Sequence, residues 1–416
     1  MQRSDPPAPR VVVLSSLFPS AVQPGAGLFV RERAFRLGQR MPLSVVAPTP
    51  WFPLQAQLRR WRPGARAGAP AREIQSGFEV SFPRFLSLPL IGRRFDGLFM
   101  ALGALPLLWR LRRQGRLDLI DAHFAYPDGR AATWLGRWLK VPVTITMRGT
   151  EVRHAGDRVL RRPLRRALTR ADRVFSVSDS LRQVALSLGV AAERAMVVGN
   201  GVDLQRFDPL PRDEARRALG LPELAKVMIT VGGLVERKGF HRVLEVLPAL
   251  SRQFEPLHYL IVGGPSPEGD MSRALREQVQ ALGLFQQVHF AGAVSPDELR
   301  RWLSAADLFV LATRNEGWAN VFLEAMACGL PVVTTDVGGN AEVVCSPELG
   351  RVVPFGDSAA LRLAVAEALA ATWDRDAIRA YAQANTWDRR IDRLEEVIRD
   401  VACSRRPPMA QAEASS

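Results

Sequence analysis

Two α/β domains, each with a parallel β-sheet and crossover helices, are the fold class that this sequence of 416 residues predicts. The first observation is that short apolar runs rich in β-branched residues alternate with helix-patterned segments along the chain. The second is the length, which exceeds what one hydrophobic core usually organises. The third is a proline-containing stretch from Asp203 to Pro222, whose centre indicates a linker between the two domains.

The segment before the linker predicts six strands and four helices, because apolar runs of strand length end at turn residues and longer segments carry the helical period. The predicted strands are 11–14, 43–47, 117–123, 142–147, 173–177 and 196–198, and the predicted helices are 29–39, 96–113, 129–139 and 179–188. Residues 49–71 are rich in Pro, Gly and Arg and predict an irregular loop.

The segment after the linker repeats the same alternation. The predicted strands are 226–231, 257–262, 287–291, 308–311 and 331–334, and the predicted helices are 239–250, 271–282, 296–304, 321–328, 358–371 and 391–402. We therefore predict a first domain over residues 1–206, a second over 207–385, a C-terminal helix over 386–403 and a disordered tail over 404–416.

Positive charge is concentrated in the first half of the chain. Residues 1–210 carry 33 Lys+Arg against 15 Asp+Glu, whereas residues 211–416 carry 23 against 27. Basic clusters at 58–66, 109–116 and 158–170 predict contact with something anionic, such as a membrane surface. In the last cluster, leucines at 160, 164 and 168 would form one helical stripe. A membrane-surface helix and an arginine-rich solvated face are both compatible with that pattern.

Composition disfavours several classes of protein. Cys328, Cys345 and Cys403 have neither a disulfide framework nor metal-ligand spacing, so we expect a reducing cytoplasm. The N-terminal segment lacks the apolar core of a signal peptide, and the longest apolar stretch, 98–109, is too short to span a bilayer. Nucleic acid is not an expected partner despite the net charge of +14, because the sequence has no zinc-finger, RNP-like or helix-turn-helix pattern.

The most informative segment covers residues 316–333, with the sequence EGWANVFLEAMACGLPVV. Asn320 is the predicted N-cap of a helix, so Glu316 lies in the preceding loop and Glu324 near the helix start. The amides at Asn320 and Val321, together with the positive end of the helix dipole, would favour a phosphate. A carboxylate beside them can accept hydrogen bonds from sugar hydroxyls. A sugar nucleotide suits this arrangement. A buried helix whose glutamates face water is the alternative.

A second candidate segment follows the predicted strand 226–231. Gly232 and Gly233 would let the backbone approach a ligand closely, and Arg237 and Lys238 then supply cationic donors. Fixed cations aimed at a diphosphate leaving group stabilise the negative charge that develops as a glycosidic bond breaks. The alternative is a surface basic pair at a helix start, which the helix dipole disfavours.

The segment 316–333, with its Ala-Met-Ala-Cys-Gly context, closely resembles the Glu-x7-Glu region of glycosyltransferase family 4. That family contains retaining enzymes of the GT-B fold, in which two Rossmann-like domains face each other across a cleft and the last helix crosses back to the first domain. The resemblance implies that Arg237 and Lys238 stabilise the donor diphosphate. It also implies that Glu324 binds the ribose and that Glu316 holds the donor sugar.

The resemblance extends to the first half of the chain. His123, in the sequence HFAYPDG, is similar to a family histidine that contacts the transferred sugar, and this stretch resembles the subgroup of teichuronic acid and other envelope-polysaccharide transferases. Gly27, in PGAGLFV, looks like part of the family's glycine loop and would line the acceptor side with His123. A satisfied core histidine is the alternative for His123. The chain departs from the family at Gly233, where Arg is frequent. Arg237 and Lys238 would therefore supply more of the stabilisation of the donor diphosphate.

Four further segments are candidates for the site or for turns. Residues 148–151 follow a predicted strand and could reach the cleft. Residues 200–203, Asn-Gly-Val-Asp, predict a turn in which Asn200 and Gly201 adopt positive φ. Residues 337–342 predict another glycine loop. The Asp-x-Asp match at 374–376 falls in a helical segment, so we interpret it as a helix cap or solvated face rather than a metal site.

These patterns and the resemblance imply a metal-independent, retaining, hexosyltransferase-like enzyme in the cytoplasm or on the inner face of the membrane. A nucleotide-diphosphate-sugar would be its co-substrate, with no other cofactor, and the acceptor would be a lipid-linked or cell-envelope polysaccharide. Two alternatives remain. A glycan phosphorylase-like enzyme would use phosphate as acceptor, and a non-catalytic membrane-associated scaffold of polysaccharide assembly would bind no nucleotide.

Overall fold

The computed structural model of the chain describes residues 7–52, 70–87, 92–266 and 268–404. These residues form two compact units. The first contains the chain up to Asn200 and from Arg390 onward, and the second contains Gly201–Arg389. The basic cluster at 58–66, most of the predicted loop at 49–71 and the tail beyond Ser404 lie outside the described residues.

The first unit is built on an eight-stranded sheet. Its strands and those of a small second sheet are β1 (Val11–Leu14), β2 (Leu43–Val46), β3 (Thr49–Trp51), β4 (Arg72–Gln75), β5 (Phe78–Ser81), β6 (Arg84–Leu86), β7 (Leu119–His123), β8 (Val143–Met147), β9 (Arg173–Ser176) and β10 (Ala195–Val197). The large sheet has the order β10-β9-β8-β7-β1-β2-β5-β4, and β3 pairs with β6. Only the β4–β5 pair is antiparallel among the described strand pairs.

The helices of the first unit complete the crossover pattern. They are α1 (Leu28–Gly38), α2 (Asp96–Arg113), α3 (Arg130–Leu139), α4 (Thr150–Gly156), α5 (Arg161–Leu168) and α6 (Asp179–Ser187). All six strands and four helices predicted before the linker are confirmed, with ends within two residues. The strands were recognisable because parallel strands covered on both faces are mainly apolar, as in β1, which has the sequence VVVL and is buried at every position.

The short edge elements of the first unit were missed. The predicted irregular loop is wrong at its start, because Thr49–Trp51 pairs with Arg84–Leu86. The hairpin of β4 and β5 turns at Ser76 and Gly77, which have φ of 48° and 84°. Such a turn suits a two-residue hairpin. The strands β3 to β6 contain at most two consecutive apolar residues, so no apolar run marked them.

Helix α5 settles the alternatives for the last basic cluster. Leu160, Leu164 and Leu168 are all buried in the unit, so the leucine stripe is not available to a bilayer. The arginines at 161, 162, 165 and 166 are exposed. The membrane-surface helix with an inserted apolar face is therefore wrong, and an arginine-rich solvated face is what the structure shows.

The second unit contains a six-stranded, fully parallel sheet in the order β13-β12-β11-β14-β15-β16. The strands are β11 (Lys226–Val231), β12 (Leu257–Val262), β13 (Val288–Gly292), β14 (Leu308–Leu311), β15 (Val332–Thr335) and β16 (Gly350–Val353). The helices are α7 (Arg212–Ala218), α8 (Phe240–Ser251), α9 (Ser272–Ala281), α10 (Pro296–Ala305), α11 (Asn320–Ala327), α12 (Asn340–Val343), α13 (Ser358–Ala370) and α14 (Arg375–Ala384). The five predicted strands and the first five predicted helices are confirmed, whereas β16, α7, α12 and α14 were missed.

Both faces of this second sheet are covered. Val227 and Ile229 belong to one buried cluster, and Met228 between them belongs to the other, as the period-2 geometry of a strand requires.

The C-terminal helix α15 (Trp387–Ser404) buries Ile391, Leu394 and Ile398 in the core of the first unit. None of the helices in the described ranges combines the length and apolar character needed to cross a membrane.

Candidate active site

Two loops that follow neighbouring strands form the candidate site in the second unit. One follows β11 and the other follows β14, and the carboxyl ends of parallel neighbours lie at one edge of the sheet. The Arg314 N–H donates to the Arg237 carbonyl at 2.7 Å, and the Thr313 hydroxyl donates to the same oxygen at 3.0 Å. These bonds hold the predicted cationic segment against the segment that leads to Glu316.

Arg237, Lys238 and Glu316, predicted from separate motifs, meet at one carboxylate. Glu316 Oε1 accepts hydrogen bonds from Lys238 Nζ at 2.6 Å and from Arg237 Nη1 at 3.1 Å. The side chains of Lys238 and Glu316 are 14% and 10% exposed, so water screens this pair only partly. The structure therefore concentrates two cations and one anion in a partly desolvated place at the end of the sheet.

Glu268 is a member of this cluster that sequence reasoning missed. Its carboxylate binds Arg237 in a bidentate manner, with Nε–Oε2 at 2.6 Å and Nη2–Oε1 at 2.9 Å. Hydrogen bonding to Glu268 raises the pKa of Arg237, and this effect, with a contribution from Glu316, outweighs the lowering by burial. Glu268 lies in the loop after β12, the strand next to β11. Its position after a strand of the same sheet was the one available signal.

Helix α11 begins differently from the prediction. Ala319 is the N-cap, with extended φ and ψ of −84° and 93°, and no side chain caps the helix. The prediction that Asn320 is the N-cap is wrong, because Asn320 is already the first helical residue. Val321 and Glu324 follow in the first two turns and are half-buried. Gly329 has φ of 74° after the helix, which confirms the predicted left-handed residue.

Close backbone approaches explain two of the predicted glycines. A Cβ at Gly338 would lie 1.7 Å from the Glu316 carbonyl oxygen, and Gly338 has φ of 55°. Only glycine fits there, so the predicted loop at 337–342 packs directly against Glu316. A Cβ at Gly233 would lie 3.1 Å from Ser266 Cβ, so Gly233, in the loop after β11, packs against the loop after β12.

The first unit carries a polar face on β7 and β8. Asp121 pairs in register with Thr144, and His123 pairs with Thr146. Residues two apart on a strand share a face, so all four side chains lie on the same side of the sheet. The Thr144 hydroxyl donates to Asp121 Oδ1 at 2.6 Å. Asp121 was missed, although a carboxylate inside an otherwise apolar strand was visible in the sequence.

His123 lies at the carboxyl end of this face and is 0% exposed. Its Nδ1 lies 2.9 Å from Arg148 Nη2, and its Nε2 lies 3.4 Å from Asp121 Oδ2. Since a guanidinium can only donate, Nδ1 accepts and the ring proton belongs on Nε2, toward Asp121. Burial, and then the charge of Arg148, lower the pKa of His123 to about 4. His123 is therefore a neutral, enclosed imidazole at neutral pH.

Arg148 links this face to the end of the first unit. Its Nη1 donates to Asn200 Oδ1 at 2.5 Å, and its guanidinium lies over the Phe29 ring. The predicted positive φ at Asn200 and Gly201 is wrong, since neither residue adopts it. Gly201 is needed for a different reason, because a Cβ there would lie 2.3 Å from the backbone nitrogen of Trp387.

Gly27 is the N-cap of α1, with φ of 67°, and a Cβ there would lie 2.3 Å from the Leu17 carbonyl oxygen. Ser16, the residue before Leu17, donates two hydrogen bonds to the Asp128 carboxylate. One comes from its backbone N–H and the other, at 3.0 Å, from its hydroxyl. Burial raises the pKa of Asp128 to about 7. Asp128 was not predicted as a site residue. It ties the loop that carries Gly27 to the loop after His123.

The structure thus gathers the predicted residues into two groups. Arg237, Lys238 and Glu316 lie in contact in the second unit, with Gly233 and the start of α11 at the same sheet edge. Gly27 and His123 lie in the first unit. The Asp374 side chain accepts from the Asp376 and Ala377 amides, which confirms its interpretation as a helix cap.

Comparison with known proteins decides the family. Residues 25–206 match the family described as Glycosyltransferase Family 4, and residues 211–385 match Glycosyl transferases group 1. D-inositol 3-phosphate glycosyltransferase 1 of Catenulispora acidiphila is 30% identical, over 94% of this chain and 95% of that protein. This chain belongs to glycosyltransferase family 4. The glycosyltransferase is also 28% identical to TuaC of Bacillus subtilis (strain 168), named for teichuronic acid biosynthesis, over 79% of this chain and 82% of TuaC.

Solved structures show that this glycosyltransferase has the GT-B fold, as predicted. Sucrose-phosphate synthase from Thermosynechococcus elongatus superposes with a TM-score of 0.75 at 22% identity, covering 95% of this chain and all (100%) of that one. HepE from Anabaena, solved with UDP and glucose, superposes with a TM-score of 0.70 at 20% identity, covering 94% and 99%. The shared architecture consists of the two α/β units described above, each built on a largely parallel sheet.

Proposed function

We propose that this glycosyltransferase is a retaining enzyme that transfers a sugar from a nucleotide-diphosphate-sugar to a lipid-linked or cell-envelope polysaccharide. The observation that carries the proposal is the convergence of Arg237 and Lys238 on Glu316 at the carboxyl edge of the second sheet. Two cations in a partly desolvated place are what a diphosphate leaving group requires as it gains charge. In this scheme the side-chain cations, rather than a metal ion, stabilise the leaving group.

The neighbouring groups supply the remaining donor contacts. Gly233 allows the backbone to approach the diphosphate, and the first-turn amides at Asn320 and Val321 point a helix N-terminus at the phosphates. Glu324 binds the ribose hydroxyls, and Glu316 with its loop holds the donor sugar. Lys238 is the more enclosed of the two cations, so we assign it the larger share of leaving-group stabilisation.

Gly27 and His123 belong to the acceptor side in this proposal. His123 is neutral and enclosed, so it acts by shape and by positioning Arg148 rather than as a base or nucleophile. Asp121 fixes the ring from the opposite side. The acceptor is then deprotonated by the departing phosphate, which is how retaining enzymes without a protein base are understood to react.

Nucleotide binding is the direct test. We would measure thermal shifts with UDP, GDP, ADP and dTDP for wild type, Lys238→Ala and Glu324→Ala. UDP comes first, because HepE was solved with it. A ligand at 100 times its Kd stabilises by about 2.7 kcal/mol, which the assay resolves. One nucleotide that stabilises wild type but not Glu324→Ala, with only a modest loss of stabilisation in Lys238→Ala, supports the proposal, whereas no shift with any of the four contradicts it.

A glycan phosphorylase-like activity is the second candidate, because it would use the same cationic site for inorganic phosphate. Incubation with glycan and phosphate would then release sugar phosphate without any nucleotide. A non-catalytic scaffold would show neither activity. The contact of Arg237 and Lys238 with Glu316 argues against the scaffold, because an unselected surface would not keep three charges in one partly buried cluster.

We also propose that the basic first unit contacts anionic membrane surfaces through charge alone. The leucines of α5 are buried, and the exposed arginines at 161, 162, 165 and 166 remain for lipid phosphates. Co-sedimentation with phosphatidylglycerol vesicles should fall with added salt and with replacement of all four arginines by Gln. Equal binding to neutral phosphatidylcholine vesicles would contradict this proposal.

A further inference from the structure

Arg33, on α1, is the most unusual side chain of the first unit. It is 2% exposed, and none of its three guanidinium nitrogens has a hydrogen-bond partner among the described residues. A guanidinium stays charged throughout the physiological pH range. A buried charged donor without an acceptor is strongly destabilising, and such a group in a folded protein calls for an explanation such as a bound ion.

Three more buried polar atoms near Arg33 also have no hydrogen-bond partner among the described residues. They are Arg148 Nε, Thr146 Oγ1 and His123 Nε2, and the last of these lies 3.4 Å from Asp121 Oδ2. Thr146 lies in register with His123, whose Nδ1 contacts Arg148. The Arg33 guanidinium lies over the Phe175 ring, 5.4 Å from its centroid, and Phe175 pairs in register with Thr146, which places Arg33 in the same region. The guanidinium nitrogens of Arg33 and Arg148 can only donate, and the Thr146 hydroxyl, which could accept, makes no hydrogen bond to them.

The carboxylates of the region are already engaged by other donors. Asp121 accepts from Thr144 through Oδ1, and its Oδ2 faces His123. Glu151 accepts three backbone N–H groups, from residues 125, 148 and 149, at 2.8 to 3.1 Å. Asp121 and Glu151 offset the charges of Arg33 and Arg148 at a distance. They provide no hydrogen bond to the guanidinium of Arg33.

We propose that Arg33 and Arg148 form an internal site for a compact anion, either a halide or the oxyanion of a phosphate or carboxylate group. A water molecule could accept hydrogen bonds there, but it would not reduce the repulsion between the two guanidinium groups. After burial itself, the charge of Arg33 is the largest cause that lowers the pKa of Arg148. An anion between them relieves that repulsion and accepts from both guanidinium groups, for which an oxyanion has matching geometry.

This inference rests on contacts within the first unit and not on the proposed donor site. Its failure would leave the nucleotide assignment intact, and the reverse also holds. The anion could be free in solution or carried by an acceptor molecule, and the chemistry of recognition is the same for both. A comparison of how tightly phosphate, acetate and chloride bind identifies the class of anion.

The test is thermal unfolding of the full chain during titration with sodium phosphate, sodium acetate or sodium chloride, with ionic strength held constant by bulky sodium gluconate. We expect at least one anion to raise the Tm saturably, by about 5 °C at 100 times its Kd. Tightest binding of phosphate or acetate would indicate a group that an acceptor can carry, and tightest binding of chloride would indicate a free structural ion. No saturable shift with any of the three overturns the proposal.

Variants distinguish anion binding at Arg33 from binding at other positively charged sites. Arg33→Met should lose the shift and should be at least as stable as wild type in the anion-free buffer, because a buried charge that lacks a hydrogen-bond partner among the described residues has been removed. Arg166→Met, which removes an exposed arginine of the same unit, and Lys238→Ala, which alters the proposed donor site, should both keep the shift. A shift that survives in Arg33→Met, or one lost in Arg166→Met, overturns the assignment.

The charge-retaining pair Arg33→Lys and Arg148→Lys covers the case in which Arg33→Met does not fold. A lysine keeps the positive charge but cannot present the planar fork of a guanidinium. We expect each variant to weaken anion binding at least about tenfold. An unchanged Kd in both variants would show that the anion binds elsewhere.

Discussion

Replacement of Lys238 by Ala tests the central assignment. The Lys238 ammonium lies 2.6 Å from Glu316 Oε1 on a side chain that is 14% exposed, so it acts in a place where water screens charge only partly. Loss of one fixed donor to a developing negative charge reduces turnover by about 100- to 1,000-fold, or roughly 3–4 kcal/mol. Because the charge grows in the transition state, Lys238→Ala should lower kcat far more than it weakens nucleotide binding.

The assay is the release of nucleoside diphosphate from the donor that the thermal-shift screen identifies, with Kd measured in parallel. Lys226→Ala is the matched control, since Lys226 is the first residue of β11, whereas Lys238 follows the carboxyl end of that strand. Its turnover should stay near that of wild type. If Lys238→Ala keeps turnover within about threefold of wild type, or if Lys226→Ala loses as much, the reasoning from charge stabilisation is wrong.

Three further predictions follow from the same geometry. Glu268→Gln should strengthen nucleotide binding about two- to fivefold in a titration, because the exposed Glu268 carboxylate would no longer compete with the nucleotide for Arg237. Weaker binding would show that Glu268 orients the Arg237 guanidinium instead. His123 has a pKa of about 4 instead of 6.5, so its contribution to stability, roughly 3 kcal/mol, is present above pH 6.5 and is lost as pH falls toward 4. Urea unfolding of wild type and His123→Gln across that range measures this, and parallel pH profiles would contradict it. Gly338→Ala should lower both Tm and turnover, because a Cβ would lie 1.7 Å from the Glu316 carbonyl oxygen; an unchanged Tm would show that the loop adapts.

Local patterns were sufficient for most of the fold and for individual site residues. Buried parallel strands such as β1 and β14 are continuous apolar runs, and the helices between the strands carry their own periodicity and end signals. The glycines and paired cations of 232–239 and the two glutamates of 316–324 stand out for the same reason, since each signal lies within a few consecutive residues. The short strands β3 and β4 carry no such signal, because their pairing partners define them.

The sequence by itself determined the two α/β units, the order of their main elements, and the residue types available for binding a charged sugar donor. Only the tertiary structure decided that Glu316 joins Arg237 and Lys238, that Glu268 is the fourth member, and that Arg33 is buried without a hydrogen-bond partner among the described residues. The physical reason is that such contacts depend on which strands are neighbours and in what register. That information lies in long-range packing, which no short segment of the chain contains.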